Sequence, residues 1–171
     1  MTDHNEVEER LKRLDELYNS SNDGLESLSW SNTAILILSG WIEDRIDEIV
    51  RNHYNSVLTV QSNKKLVDAK LKDVYSYRYS KVRSILIYVL GIIGYEKFET
   101  HASALLDTTF KDPGGVANYL LNTRDRISHS YRGFFQNRNP DAPSKTLIMF
   151  REMKDSLEKI DDILTSMRNT P

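Results

Sequence analysis

The chain has 171 residues, enough for one domain with a single sizeable core. Seven glycines and four prolines are too few for a turn-rich β protein, and a formal net charge of −2 gives no general attraction for nucleic acid, so any such contact must use a local basic patch. With no cysteine the chain has no disulfide scaffold, thiolate metal site or cysteine nucleophile, which fits a reducing, cytoplasmic compartment.

The stretch Met1 to Glu6 is acidic and polar and reads as neither a signal nor a transit peptide. From about Asp3 to Tyr18, Val7, Leu11, Leu14, Leu17 and Tyr18 share one stripe, which predicts an amphipathic helix. Ser20 to Gly24 is a loop. A long helix is expected from about Leu25 to Tyr54. Its middle, Ala34 to Leu38, is apolar all round and belongs at the centre of the fold, and Gly40 is placed to kink it or admit a neighbour. Asn63 to Asp73 reads as a short lysine-rich helix, and the tyrosine-rich Val74 to Ser80 either continues it or connects onward. Lys81 to Ile93 is a strongly apolar core helix, too short to cross a bilayer. Tyr95 to Phe110 is a shorter amphipathic segment carrying Phe98, Ala102, Leu105 and Leu106.

A further helix opens at Asp112-Pro113, with Asp112 as N-cap and Pro113 in the first position, and stops near Gly133. Asn137 to Pro143 is a polar loop. Ser144 is expected to cap a last helix to about Arg168, where Phe150, Met153, Leu157, Ile160, Leu164 and Met167 form a narrow seam for packing internally or against another subunit. No segment alternates with period two. The fold class is all-α, a bundle of five to seven helices.

Within the second-last helix stands Arg124-Asp125-Arg126-Ile127-Ser128-His129, followed by Ser130-Tyr131-Arg132-Gly133. A guanidinium that can hold a phosphate and an imidazole that can move a proton near neutral pH are the groups phosphodiester chemistry uses. At about 100° per residue, with Arg124 at zero, Val116, Leu120, Ile127 and Tyr131 share a core-facing arc of about 60°. Asn118, Asn122, Asp125, Ser128, His129 and Arg132 make a continuous polar face, and Arg126 lies off it. Asp125 precedes His129 by one turn and is placed to hydrogen-bond its ring. Arg124 and His129 point about 140° apart, flanking the polar face. That spacing suggests a composite site formed by two copies of the helix at a two-fold interface.

The segment Leu120 to His129 resembles the signature of the HEPN superfamily: arginine, a polar residue (here Asp125), three variable residues, then histidine, late in an α-helical domain. Gly40-Trp41-Ile42-Glu43 is similar to the acidic site of that family's early long helix. Gly94-Tyr95-Glu96-Lys97-Phe98 precedes the motif helix much as in the RiboL-PSP-like branch. The resemblance covers about Leu25 to Leu164. It implies a bundle that dimerises with motif helices facing each other. It also implies metal-independent endoribonuclease activity in toxin–antitoxin or antiviral defence, an antitoxin or nucleotidyltransferase as possible partner, and no cofactor. Arg124 and His129 would be the catalytic pair, with Asp125 in support. Attack by the RNA 2′-hydroxyl, with His129 as acid or base and Arg124 stabilising the transition state, would leave 2′,3′-cyclic phosphate and 5′-hydroxyl ends. Asn122, Ser128, Arg126, Tyr131, Arg132 and Arg138 would hold backbone or base, and Glu43 would enter the cleft.

The remaining histidines read as structural or surface groups: His4 in a frayed terminus, His53 complementing a helix dipole, His101 on an amphipathic helix. Asp44 is a second candidate for the motif cleft, behind Glu43, and both have a solvated acidic helix face as the alternative. Tyr75, Tyr77 and Tyr79 read as packing residues before base-stacking ones, and Lys64, Lys65, Lys70 and Lys72 as a solvated patch. Two other functions compete with the ribonuclease: a non-catalytic HEPN-like module binding RNA, nucleotide or protein, and a plain helical interaction protein.

Overall fold

The computed structural model describes residues 4–72, 76–129 and 141–168, with His129 described by its backbone alone. Among these residues the chain is all-α: α1 (His4–Ser20), α2 (Gly24–Val57), α3 (Gln61–Lys72), α4 (Tyr79–Leu106), a π turn (Asp107–Lys111), α5 (Val116–His129) and α6 (Pro143–Arg168). No helix of the described residues is long and apolar enough to cross a membrane.

The apolar spacing explains the assembly. Val7, Leu11 and Leu14 bury one stripe of α1 against α2 and α6, across a three-residue connection. The α6 seam is buried inside this fold and is not left for another subunit: Phe150, Met153, Leu157, Ile160 and Leu164 all belong to the core. Trp41 of α2 meets Phe150 edge-on at 4.8 Å. Helix α2 contacts every other α-helix, so the expected central helix is central. Its middle is not buried all round, however. Ala34, Ile35 and Leu38 are buried, while Leu36 is exposed. Gly40 neither kinks α2 nor admits a neighbour, since a Cβ built there would meet open space.

The bend lies instead at Gly91, where φ is 71° and ψ is 167°. The hydroxyls of Tyr79 and Tyr95 lie 3.0 Å apart, and Tyr79 donates to Glu99 Oε1 at 2.8 Å. At about 1.5 Å rise per residue, sixteen or twenty residues of straight helix would hold these groups roughly 24–30 Å apart. Helix α4 is therefore a hairpin of two helical arms, 79–90 and 92–106, folded at Gly91. This corrects the expectation of a core helix from Lys81 to Ile93. Val82, Ile85 and Leu86 do enter the core, but Ile92 and Ile93 sit at the hairpin tip, 73% and 74% exposed.

Two caps also differ. Asp112 Oδ1 accepts from the Gly114 amide at 2.9 Å, but it caps an isolated turn, and α5 itself begins at Val116. Gly115 is required there, because a Cβ would stand 2.9 Å from the Thr108 carbonyl oxygen. Ser144 does not cap α6. The helix starts with Pro143, and the Ser144 amide donates to Asp15 Oδ1 of α1 at 2.8 Å, so the cap comes from another helix. The helix stop at Gly133 and residues Tyr75, Tyr131, Arg132 and Arg138 lie outside the described residues.

Candidate functional site

Helix α5 buries a wider face than its motif alone suggests. Ala117, Leu120, Leu121, Thr123 and Ile127 are all buried. Measured from Arg124, they occupy about 260° through zero to about 60°. Arg124 therefore lies in the middle of the buried stripe, at 19% exposure, and does not flank the polar face. A guanidinium in that position needs partners. Its Nη1 donates to Glu43 Oε1 of α2, and its Nε and Nη2 donate to Asp125 Oδ1 at 3.3 and 3.2 Å. The Tyr77 ring lies beneath it, 5.7 Å from ring centre to guanidinium carbon.

Three stretches of chain converge here. On α2, Ser39 and Glu43 are one turn apart and share a face. The segment 76–78 supplies Tyr77, 1% exposed, whose hydroxyl lies 3.0 Å from Ser39 Oγ. It also supplies Arg78, whose Nη2 is 3.7 Å from Asp125 Oδ2. Asp125 thus stands between two guanidiniums, one on each oxygen.

Burial dominates the electrostatics. It raises the Glu43 carboxyl above its usual range, although Arg124 beside it acts in the opposite direction. For Arg124, burial opposes the charge, but Glu43, Asp125 and Tyr77 together overcome it and raise the guanidinium above its ordinary value. The Tyr77 hydroxyl is pushed up to about 12 by burial, against Ser39 and Arg124, so it remains a neutral phenol.

Of the sequence-predicted site residues, Arg124, Asp125 and Glu43 come together. Asn122, Arg126 and Ser128 are exposed on the outer side of α5. His129 closes the described part of the helix. Asn118 is engaged elsewhere: its Nδ2 donates to the carbonyls of Phe110 and Asp112 at 3.1 and 2.7 Å, tying α5 to the preceding turn. Asp44 points away and lines a separate groove of about 550 Å³ with Trp41, Asp47, Glu48 and Arg51. Sequence reasoning missed Ser39 and Arg78 and gave Tyr77 a packing role ahead of a base-stacking one. The one available signal was Ser39 and Glu43 at helical spacing in an otherwise apolar run.

The other histidines also found their places. His4 packs edge-on against Trp41, with ring centres 5.6 Å apart. His53 is buried near the C-terminal end of α2. Arg168 Nε donates to its Nδ1 at 3.3 Å, and burial first, then Arg168, lowers its pKa. His101 is exposed, bonded to the Lys97 carbonyl at 2.7 Å. Among the described residues no group of three His, Cys, Asp or Glu is placed to hold a metal ion.

The fold and site define an all-α bundle with a half-buried arginine held between two carboxylates. No protein-family model matches the sequence, and comparisons with curated proteins and with solved structures give no match.

Proposed function

We propose that this chain is a metal-independent endoribonuclease of HEPN type, acting as a toxin or defence effector in the cytoplasm. The observation that carries the reading is Arg124, oriented by Glu43 and Asp125, on the helix that presents His129 five residues later. His129 takes the proton of the 2′-hydroxyl, O2′ bonds to phosphorus, the P–O5′ bond breaks, the leaving O5′ takes a proton from water, and the protonated His129 returns its proton to the hydroxide so formed. Arg124 stabilises the added charge on the non-bridging oxygens. The hydrogen bonds to Asp125 are long, so a phosphate can take over Nε and Nη2 while Glu43 keeps Nη1 and the side-chain orientation. Because Arg124 projects from the buried stripe and His129 lies about 140° around the helix, two copies complete the site across a two-fold axis.

The second reading is a non-catalytic HEPN-like binding module. It is favoured by one observation: Arg124 already uses all three of its guanidinium nitrogens on the protein's own carboxylates. Incubating RNA with the protein in excess EDTA, beside Arg124→Ala and His129→Ala, separates the two. The ribonuclease reading expects cleavage to cyclic phosphate ends by wild type alone. Equal cleavage by the variants, or none by wild type, refutes it.

A further inference from the structure

We propose that Arg78 is a second phosphate-binding cation of this site, and that it grips the same phosphate of single-stranded RNA as Arg124. The inference rests on the ribonuclease reading and deepens it.

Two guanidiniums already share one anion in the structure. Asp125 Oδ1 accepts from Arg124 at 3.2 and 3.3 Å, and Asp125 Oδ2 lies 3.7 Å from Arg78 Nη2. The two oxygens of a carboxylate diverge much as the two non-bridging oxygens of a phosphodiester do. Each arginine has planar N–H groups that suit either anion. A pair of arginines that one carboxylate bridges is therefore spaced to bridge one phosphate.

The two arginines differ in how they are held. Arg124 is fixed by Glu43 and by the Tyr77 ring. The side chain of Arg78 is 58% exposed, and 3.7 Å to Asp125 is beyond hydrogen-bond reach, so redirecting it costs little. Its backbone, by contrast, is anchored. The Arg78 carbonyl accepts from the Lys81 and Val82 amides at 2.8 and 3.1 Å, and the neighbouring Tyr77 is locked to Ser39. An exposed cation on a fixed stem, next to the motif arginine, is what phosphate capture needs. A protein of net charge −2 must build its RNA contact from such local groups.

The test is binding of a 2′-O-methyl oligoribonucleotide, which cannot be cleaved, measured by fluorescence anisotropy from 50 to 300 mM salt. Wild type, Arg78→Gln, Arg78→Lys and Lys81→Gln are compared, the last removing an exposed cation three residues away that makes no ion pair with Asp125. The expectation for Arg78→Gln is binding about tenfold weaker at low salt and a log–log salt slope smaller by about 0.7. Arg78→Lys should recover much of both, and Lys81→Gln should change neither. Asp125→Asn, which releases both guanidiniums, should tighten binding several-fold in the wild-type background and much less in Arg78→Gln. Wild-type binding with Arg78→Gln indistinguishable from Lys81→Gln overturns the role of Arg78 and leaves the ribonuclease reading standing. No binding and no cleavage by wild type overturns both.

Discussion

Replacing Arg124 by alanine isolates what the side chain does for the fold. The guanidinium makes three charge-assisted hydrogen bonds, one to Glu43 and two to Asp125. In a dry interior each would be worth about 1.5–3 kcal/mol. Both carboxylates are about one-third exposed and recover water when released, so the net cost of Arg124→Ala should be about 1–3 kcal/mol and not the sum. The cost must also depend on pH. Burial already raises Glu43, and Arg124 is the main influence pulling it down. Without Arg124, burial acts unopposed and the neighbouring Asp44 and Asp47 add to it, so Glu43 rises further. A carboxyl raised on folding contributes stability that is full below its unfolded value of 4.5 and is lost as pH rises through the folded value. Arg124→Ala should therefore be tolerated better at pH 5 than at pH 8. Urea denaturation followed by circular dichroism at both pH values measures the difference. Adding Glu43→Gln to Arg124→Ala should restore stability at pH 8 and flatten the profile. A loss equal at both pH values, or larger at pH 5, would refute the electrostatic account of this pair.

Three further outcomes follow from the geometry. If each site takes Arg124 from one copy and His129 from the other, mixing inactive Arg124→Ala and His129→Ala proteins should recover about a quarter of wild-type cleavage, since half the dimers are mixed and each has one intact site; no recovery means the site lies within one chain. Gly91→Ala should destabilise by about 1–3 kcal/mol, because φ 71° with ψ 167° is a region only glycine occupies readily, whereas Gly40→Ala, in open helical space, should stabilise by about 0.5–1 kcal/mol in thermal melts. His53, whose pKa is lowered on folding, contributes stability that is full above its unfolded value of 6.5 and lost as pH falls through the folded value; His53→Gln should remove that part of the acid sensitivity in denaturation profiles.

Helix identity was legible because apolar residues at three- and four-residue spacing leave few other solutions. Of the α1 stripe Val7, Leu11 and Leu14 are buried while Leu17 and Tyr18 are only partly so, and the α6 seam is buried from Phe150 to Leu164 with Met167 partly buried at its end. The hairpin in α4 was not legible. The run Ile85 to Ile93 is apolar throughout, and nothing in it distinguishes a continuous core helix from an arm, a turn and the start of a second arm. Gly91 and Gly94 were both visible, but a glycine in a helical pattern does not announce a positive φ. The α6 cap was hidden for a different reason. The acceptor is Asp15, 129 residues away, and local sequence carries no record of a tertiary cap.

The motif arginine shows where a periodicity argument stops short. Polar residues were assigned to an outer face, and Arg124 was set at its edge by type alone. Ala117, Leu121 and Thr123 complete the stripe on either side of it and place the guanidinium inward. A charge is tolerable there only because α2 places Glu43 against it, one turn beyond the Ser39 that holds Tyr77. Both α2 residues lie in or beside an apolar stretch, so each reads locally as an interruption of the core. Their purpose appears only when the segment 76–78 and α5 are brought against the same face. The site then follows from one physical requirement: an arginine aimed into the bundle must be met by carboxylates, and Glu43 from α2 and Asp125 from α5 meet it, with Arg78 on the far oxygen of Asp125.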